Sequence, residues 1–188
     1  DYKIIGRTND DAVGEAFDKT ARLLGLPYPG GPKISELAQT HRAKGEPSPF
    51  NFPRPMIKSN DYNFSYSGLK TAVLYTIKKL PELDPNTKEE LAHSFEDAAI
   101  EPLVFKTQKA ILEFLAKSLV VGGGVSANKY LRSELVRTAE EYQTSLFLPT
   151  QALTTDNAIM IGIAAYVRLI TNREIESKTI SAKGNLSL

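Results

Sequence analysis

The chain has 188 residues, 41% of them hydrophobic, with 23 basic against 22 acidic side chains and no cysteine. The near-cancellation of charge excludes a global field drawing the chain to nucleic acid or membrane. The lack of cysteine excludes disulfides and thiolate metal sites and suits a reducing, cytoplasmic location, and no apolar run approaches the roughly 20 residues of a membrane span.

The chain opens at Asp1 directly on YKIIG, and we expect a piece of a longer protein whose upstream half is absent. Residues 2–7 (YKIIGR) predict a short strand. Asn9 is placed to cap a helix with Asp10 and Asp11 in its first turn, where the helix dipole favours acids. Val13, Phe17, Ala21 and Leu24 fall at i, i+4, i+8 and i+11, an inward stripe, and Gly25 supplies the stop. Asp18 sits at the edge of that stripe, as a surface acid or as a ligand. LPYPGGP (26–32) packs three prolines and two glycines into one rigid turn, which can hold backbone against a ligand or merely connect two helices.

A helix is predicted over 33–44. Pro47, Pro49, Pro53 and Pro55 predict an extended loop over 45–60. NFSYS (63–67) alternates aromatic and polar residues and reads as a short strand. A helix over 68–80 carries Leu69, Val73, Ile77 and Leu80 on one face, ended by Pro81 and Pro85. Thr87 and Glu90 have the spacing of a capping box. The long helix they start has Leu91 and Phe95 inward and extends toward Lys117, with Pro102 expected to kink or split it.

Residues 119–131 are the stretch around which the rest is organised. Leu119, Val120 and Val121 suit a buried parallel strand. Gly122, Gly123 and Gly124 follow, then Ser126 as a cap, then a helix to about Tyr142 with Leu131 and Leu135 inward. Strand, glycine turn and helix N-terminus together form an anion site. The same residues would also serve as a tight turn without ligand, since their spacing matches neither the P-loop nor the dinucleotide fingerprint. SLFL (145–148) is a second buried strand, stopped by Pro149. TTDN (154–157) opens the last helix, with Ile159, Ile163, Val167 and Ile170 inward. Asp156 is there either as a first-turn acid or as one carboxylate of a metal site. The polar tail 174–188 is expected to fray. His41 and His93 have no metal-ligand spacing and read as ordinary surface or helix histidines. The mixture of strands and helices predicts an α/β fold.

Four stretches, DDAVGEAFDKTARLLGLPYPGGP (10–32), NFSYSGLKTAV (63–73), VVGGGVSANKYLR (120–132) and TTDNAIMIG (154–162), resemble the bacterial TsaD family. These are threonylcarbamoyladenosine synthase subunits, formerly labelled O-sialoglycoprotein endopeptidase or glycoprotease. The resemblance covers essentially the whole chain, with the motifs in the family's order. It implies the actin-like ATPase fold (ASKHA, ribonuclease H-like), mainly its second lobe. Residues 1–150 would form the nucleotide-binding second lobe, and 151–188 a C-terminal helix and tail returning toward a first lobe absent from this chain.

By that resemblance, Asp18 in AFDK corresponds to a ribose-contacting aspartate. Gly31 corresponds to a glycine whose backbone meets the nucleotide, and Asn128 to an asparagine that binds the nucleotide. Asp156 corresponds to a carboxylate ligand of the family's metal. Some members carry an acid four residues after the glycine; Ser35 stands there in this chain and is counted, with Gly122, Gly123 and Gly124, among the nucleotide-facing residues. The family's paired metal histidines, in an HxxxH motif of the first lobe, are not in this sequence, and His41 and His93 do not replace them. The implied reaction moves a threonylcarbamoyl group from threonylcarbamoyl-AMP to the N6 amine of the adenosine beside the anticodon, in tRNAs reading codons that begin with A. The implied ligands are ATP or threonylcarbamoyl-AMP and one divalent metal ion, iron or zinc. The implied partners are tRNA, a TsaB-like paralogous subunit and a TsaE-like ATPase, with self-association through an exposed lobe interface as a further expectation. The chain alone is expected to be inactive. The alternatives are a metallo-endopeptidase, as in the former label, although no HExxH is present, and a non-catalytic nucleotide-binding or scaffold module. No side chain reads as a general base.

Overall fold

The computed structural model describes residues 3–171, so the tail expected to fray lies outside the described residues. The chain divides into two compact units, 1–154 and 155–188. The first holds α1 (Val13–Leu23), α2 (Gly30–Lys44), α3 (Ser67–Ile77), α4 (Pro85–Phe114), β1 (Ser118–Val120), α5 (Lys129–Glu141) and β2 (Ser145–Phe147). It is α/β but mostly helical. Helix α4 is its spine, with α2, α3 and α5 all packed on it. The stripe read from the sequence of α1 is buried, and Phe17 meets Phe95 of α4 edge-to-face, ring centroids 5.0 Å apart. Ile34, Leu69, Leu91 and Ile100 close the same core.

Several element ends differ from the sequence reading, each for a local reason. Helix α1 begins at Val13, with Ala12 rather than Asn9 at its N-cap. Asp10 leaves the first turn and crosses to α3 instead. It accepts hydrogen bonds from the Tyr66 and Ser67 amides (2.7 and 3.3 Å) and from the Ser65 and Ser67 hydroxyls (2.6 and 2.8 Å). Tyr66 has no side-chain cap of its own to offer α3, so the acid of another segment does the work. Burial pushes the Asp10 carboxyl up, but these hydrogen bonds outweigh it and hold the group down at about 2. The strands expected at 2–7 and 63–67 reduce to one parallel bridge, Thr8 to Phe64, because a single bridge gives no ladder.

Asp84 displaces the Thr87–Glu90 box. Its oxygens accept from the Thr87 amide (2.9 Å) and hydroxyl (2.8 Å), with Pro85 in the first turn, where a missing N–H costs nothing. Helix α4 then runs 30 residues and is not split at Pro102. Pro102 is buried, and packing on three helices holds the helix through the one lost ladder bond. It ends at Leu115, a left-handed residue (φ 51°) that is 82% exposed and whose amide donates to the Ile111 carbonyl. It therefore stops short of Lys117.

Strands β1 and β2 pair in parallel, Ser118 to Ser145, Leu119 to Leu146 and Val120 to Phe147. They are not buried on both faces as expected. Leu119 and Leu146 pack against the core, while Val120 and Phe147 are 76% and 56% exposed, because the helices cover only one face of this two-stranded sheet. In the second unit, Asn157 caps α6 (Ala158–Ile170) by accepting from the Met160 amide at 3.0 Å. The stripe expected to face inward, Ile159, Ile163, Val167 and Ile170, is exposed. Helix α6 is the only described helix or strand of its unit, so no second described element of that unit covers it.

Candidate functional site

Two helix N-termini of the first unit gather the predicted residues. Helix α2 starts at Gly30, three residues before the expected start. Its N-cap, Pro29, carries no acceptor, and α1 supplies one. Asp18 Oδ1 accepts from the Gly30 and Gly31 amides at 2.8 and 3.2 Å. Glycine is required at position 30, since a Cβ there would fall 2.3 Å from the Ala21 Cβ and 3.0 Å from the Asp18 Cα. Both amides use Oδ1, which leaves the half-buried Asp18 with Oδ2 to offer.

The second N-terminus is that of α5. The expected cap, Ser126, lies inside a 3-10 turn, Gly124–Ala127, that intervenes between β1 and the helix. Ser126 is buried with no protein partner for its hydroxyl, and Asn128 caps α5 instead, its Oδ1 accepting from the Leu131 amide at 2.8 Å. Asn128 Nδ2 donates to Ser35 Oγ of α2 and to Glu96 Oε1 of α4, both at 2.8 Å. Residues 93 positions apart in the chain, Ser35 and Asn128, are thereby in contact. Gly122, Gly123 and Gly124 are exposed, and a Cβ on any of them would meet nothing within 4 Å. Gly123 has φ 85°, a conformation that favours glycine. Arg132 pins this turn, donating from Nε to the Ser126 carbonyl at 2.6 Å and from Nη2 to the Pro149 carbonyl.

Sequence reasoning missed the layer beneath. Glu96 is 1% exposed and accepts from Arg42 Nη1 at 3.0 Å as well as from Asn128. Arg42 also donates to Asp97 Oδ1 at 2.6 Å and lies over the Tyr130 ring, 3.9 Å from its centroid. Burial pushes the Glu96 carboxyl above its ordinary range, against the bonds from Asn128, Arg42 and Ser35. Burial likewise pushes the Tyr130 phenol up to about 12. A signal existed in the sequence. Glu96 and Asp97 follow Phe95 inside SFEDAAI, two adjacent acids in a run of otherwise small or apolar residues.

His41 and His93, read as ordinary surface or helix histidines, are brought together by the packing of α2 on α4, ring centroids 4.9 Å apart with their planes tilted by 41°. Both His41 nitrogens are buried without a partner, and His93 Nε2 lies 3.4 Å from Asp97 Oδ2. Asp156 belongs to the second unit and is exposed. Among the described residues no group of three or more His, Cys, Asp or Glu side chains could hold a metal ion, so the residues present do not fit a metal centre. Surface cavities of about 620 and 310 Å³ lie elsewhere, lined by none of the candidate residues.

The arrangement offers a carboxylate oxygen, a small hydroxyl, an amide oxygen and an open glycine turn at a helix start. That set suits the hydroxyls of a nucleoside and an attached phosphate. A family model described as TsaD, tRNA N6-adenosine threonylcarbamoyltransferase, matches residues 1–163. The chain is 45% identical over 188 residues to the tRNA N6-adenosine threonylcarbamoyltransferase of Thermosipho africanus, covering 100% of the chain and 55% of that relative. It is 50% identical over 164 residues to the protein of the same name from Thermosipho melanesiensis (87% and 48%). It is 46% identical over 191 residues to that from Chromobacterium violaceum (100% and 55%). The chain spans about half the length of the curated relatives it matches.

Proposed function

Since the chain belongs to the TsaD family, we propose that it supplies the nucleotide-binding part of a tRNA threonylcarbamoyltransferase. The observation that carries this is the convergence of Asp18, Gly31, Ser35 and Asn128 on the adjoining starts of α2 and α5, beside an open glycine turn. Asp18 Oδ2 would accept from the ribose hydroxyls, and the turn at Gly122, Gly123 and Gly124 would face the phosphate. In the complete enzyme the N6 amine of the tRNA adenosine attacks the carbamoyl carbon of threonylcarbamoyl-AMP. The bond from that carbon to the phosphate oxygen breaks, AMP departs, and the amine gives up one proton. This chain's part is to hold and orient the leaving nucleotide.

The substrates would be threonylcarbamoyl-AMP and tRNA, and ATP would occupy the same nucleotide site. A TsaB-like paralogue and a TsaE-like ATPase are the proposed partners, with the apolar face of α6 as a surface for self-association or for the rest of a longer protein. In the first case α6 of one copy would meet α6 of another; in the second it would return toward a first lobe. Among the described residues Asp156 would be the one contribution to a metal, iron or zinc, and one exposed carboxylate supports no step through it. The names of the relatives favour the transferase over the peptidase.

Asp18→Asn tests the reading without disturbing α2, because an amide oxygen can still accept from Gly30 and Gly31 while Oδ2 becomes a donor. Calorimetric titration of ATP should show binding weakened by about tenfold, roughly 1.4 kcal/mol. Equal affinity in the variant would remove Asp18 from the nucleotide site.

A further inference from the structure

Asn128 has few hydrogen-bonding groups, and the structure accounts for nearly all of them. Its two amide hydrogens go to Ser35 Oγ and Glu96 Oε1, and its oxygen takes the Leu131 amide. One lone pair on Oδ1 remains. The Leu131 amide and Glu96 together set which way round the side-chain amide lies: the backbone N–H needs its oxygen and Glu96 needs its other end. A carboxylate only accepts, so it must meet the NH2 end of Asn128, and Arg42, which only donates, holds its other oxygen. Asp97 and the Tyr130 ring in turn hold Arg42. The groups facing Glu96 are therefore Ser35 and Arg42 from α2 and Asn128 from α5, with Asp97 and His93 on its own helix.

We propose that Glu96 is a positioning residue for the nucleotide: from beneath the site it holds the NH2 end of Asn128, which, with the oxygen held by the Leu131 amide, leaves Asn128 only an oxygen lone pair to present outward. The group of the nucleotide opposite Asn128 is then a hydrogen-bond donor, a ribose hydroxyl or an exocyclic amine. The buried negative charge of Glu96 also disfavours a phosphate at this end and leaves the glycine turn for it. This inference rests on the nucleotide reading above.

Glu96→Gln is the informative change. Glutamine keeps the shape, but one of its two ends must oppose a donor with a donor, so either the Asn128 NH2 loses its acceptor, and the Leu131 amide alone holds that side chain, or Arg42 loses its partner. Two-dimensional NMR spectra of the chain, titrated with ATP, read both affinity and side-chain amides. ATP should saturate shifts at Ser35 and Asn128 in the unaltered chain, with about tenfold weaker binding in Glu96→Gln, roughly 1.4 kcal/mol, at an unchanged binding-competent fraction. A purely structural role would lower that fraction and leave the affinity alone. The Asn128 NH2 signals should also move with pH in the unaltered chain, following protonation of Glu96, and this reading needs no variant to fold. Affinity in Glu96→Gln within about twofold of the original, or Asn128 signals indifferent to pH, would overturn the role of Glu96 alone. No ATP-dependent shift in the unaltered chain would overturn the nucleotide reading and this role together.

Discussion

Arg42 shows how much can depend on a single side chain. It ties α2 to two acids of α4 and lies over a tyrosine of α5. Arg42→Ala would leave Glu96 buried with its charge less than fully paired, which is among the costlier single changes. We expect a loss of about 2 kcal/mol in urea unfolding, the figure discounted because Arg42 is itself partly exposed. The acids and histidines respond to pH in separate windows. Asp10 is held down at about 2, so its contribution is complete above the unfolded value near pH 4 and disappears as pH falls through the folded one. Asp10→Asn should flatten that part of the stability curve. His93 is pushed below its ordinary value, chiefly by burial. The fold favours the neutral ring, and stability should fall as pH drops below about 6.5. The melting temperature of the chain should fall as pH is taken below that value, and that of His93→Leu should fall less over the same range.

At the scale of the element, the hydrophobic stripes could be read from sequence and the caps could not. The i, i+4 spacing from Val13 to Leu24 identified the buried face of α1, because that periodicity is a property of the helix alone. The cap of α3 was hidden, because Asp10 reaches it from 56 positions away. Spacing also favoured Thr87 and Glu90 over Asp84, which caps α4 with both carboxylate oxygens. The two can be separated by unfolding measurements. Asp84→Ala should cost about 1 kcal/mol and Glu90→Ala a few tenths at most; the reverse order would restore the capping box. The glycine turn after β1 was legible as an open turn, yet the 3-10 turn that moves the cap from Ser126 to Asn128 was not. A single turn of four residues leaves no periodic trace.

For the whole molecule, the motif order identified the family while composition remained silent. The near-zero net charge that argued against nucleic acid is an average over surfaces, and it does not describe any one of them. The convergence of Ser35, Glu96 and Asn128 depends on three helices meeting, which no local pattern encodes. The exposed apolar face of α6 has a consequence in solution. Ile159, Ile163 and Ile170 are 59%, 58% and 61% exposed, more than a monomer ordinarily leaves open in one stripe. Sedimentation should show a mass that rises with concentration, and Ile163→Glu should suppress the rise. A single monomeric species at all concentrations would count against self-association.

The end of α4 has a practical consequence. Leu115 holds a backbone shape that leucine adopts at a penalty of about 1 kcal/mol, and it holds it in solvent, where its side chain earns little in return. Such a residue is unused thermal margin, open to an engineer without approaching the residues proposed to meet the nucleotide. Leu115→Gly, or Leu115→Asn, should raise the melting temperature by a few degrees, about 2–4 °C for a chain of this size, and make the protein a more durable starting point for every experiment above.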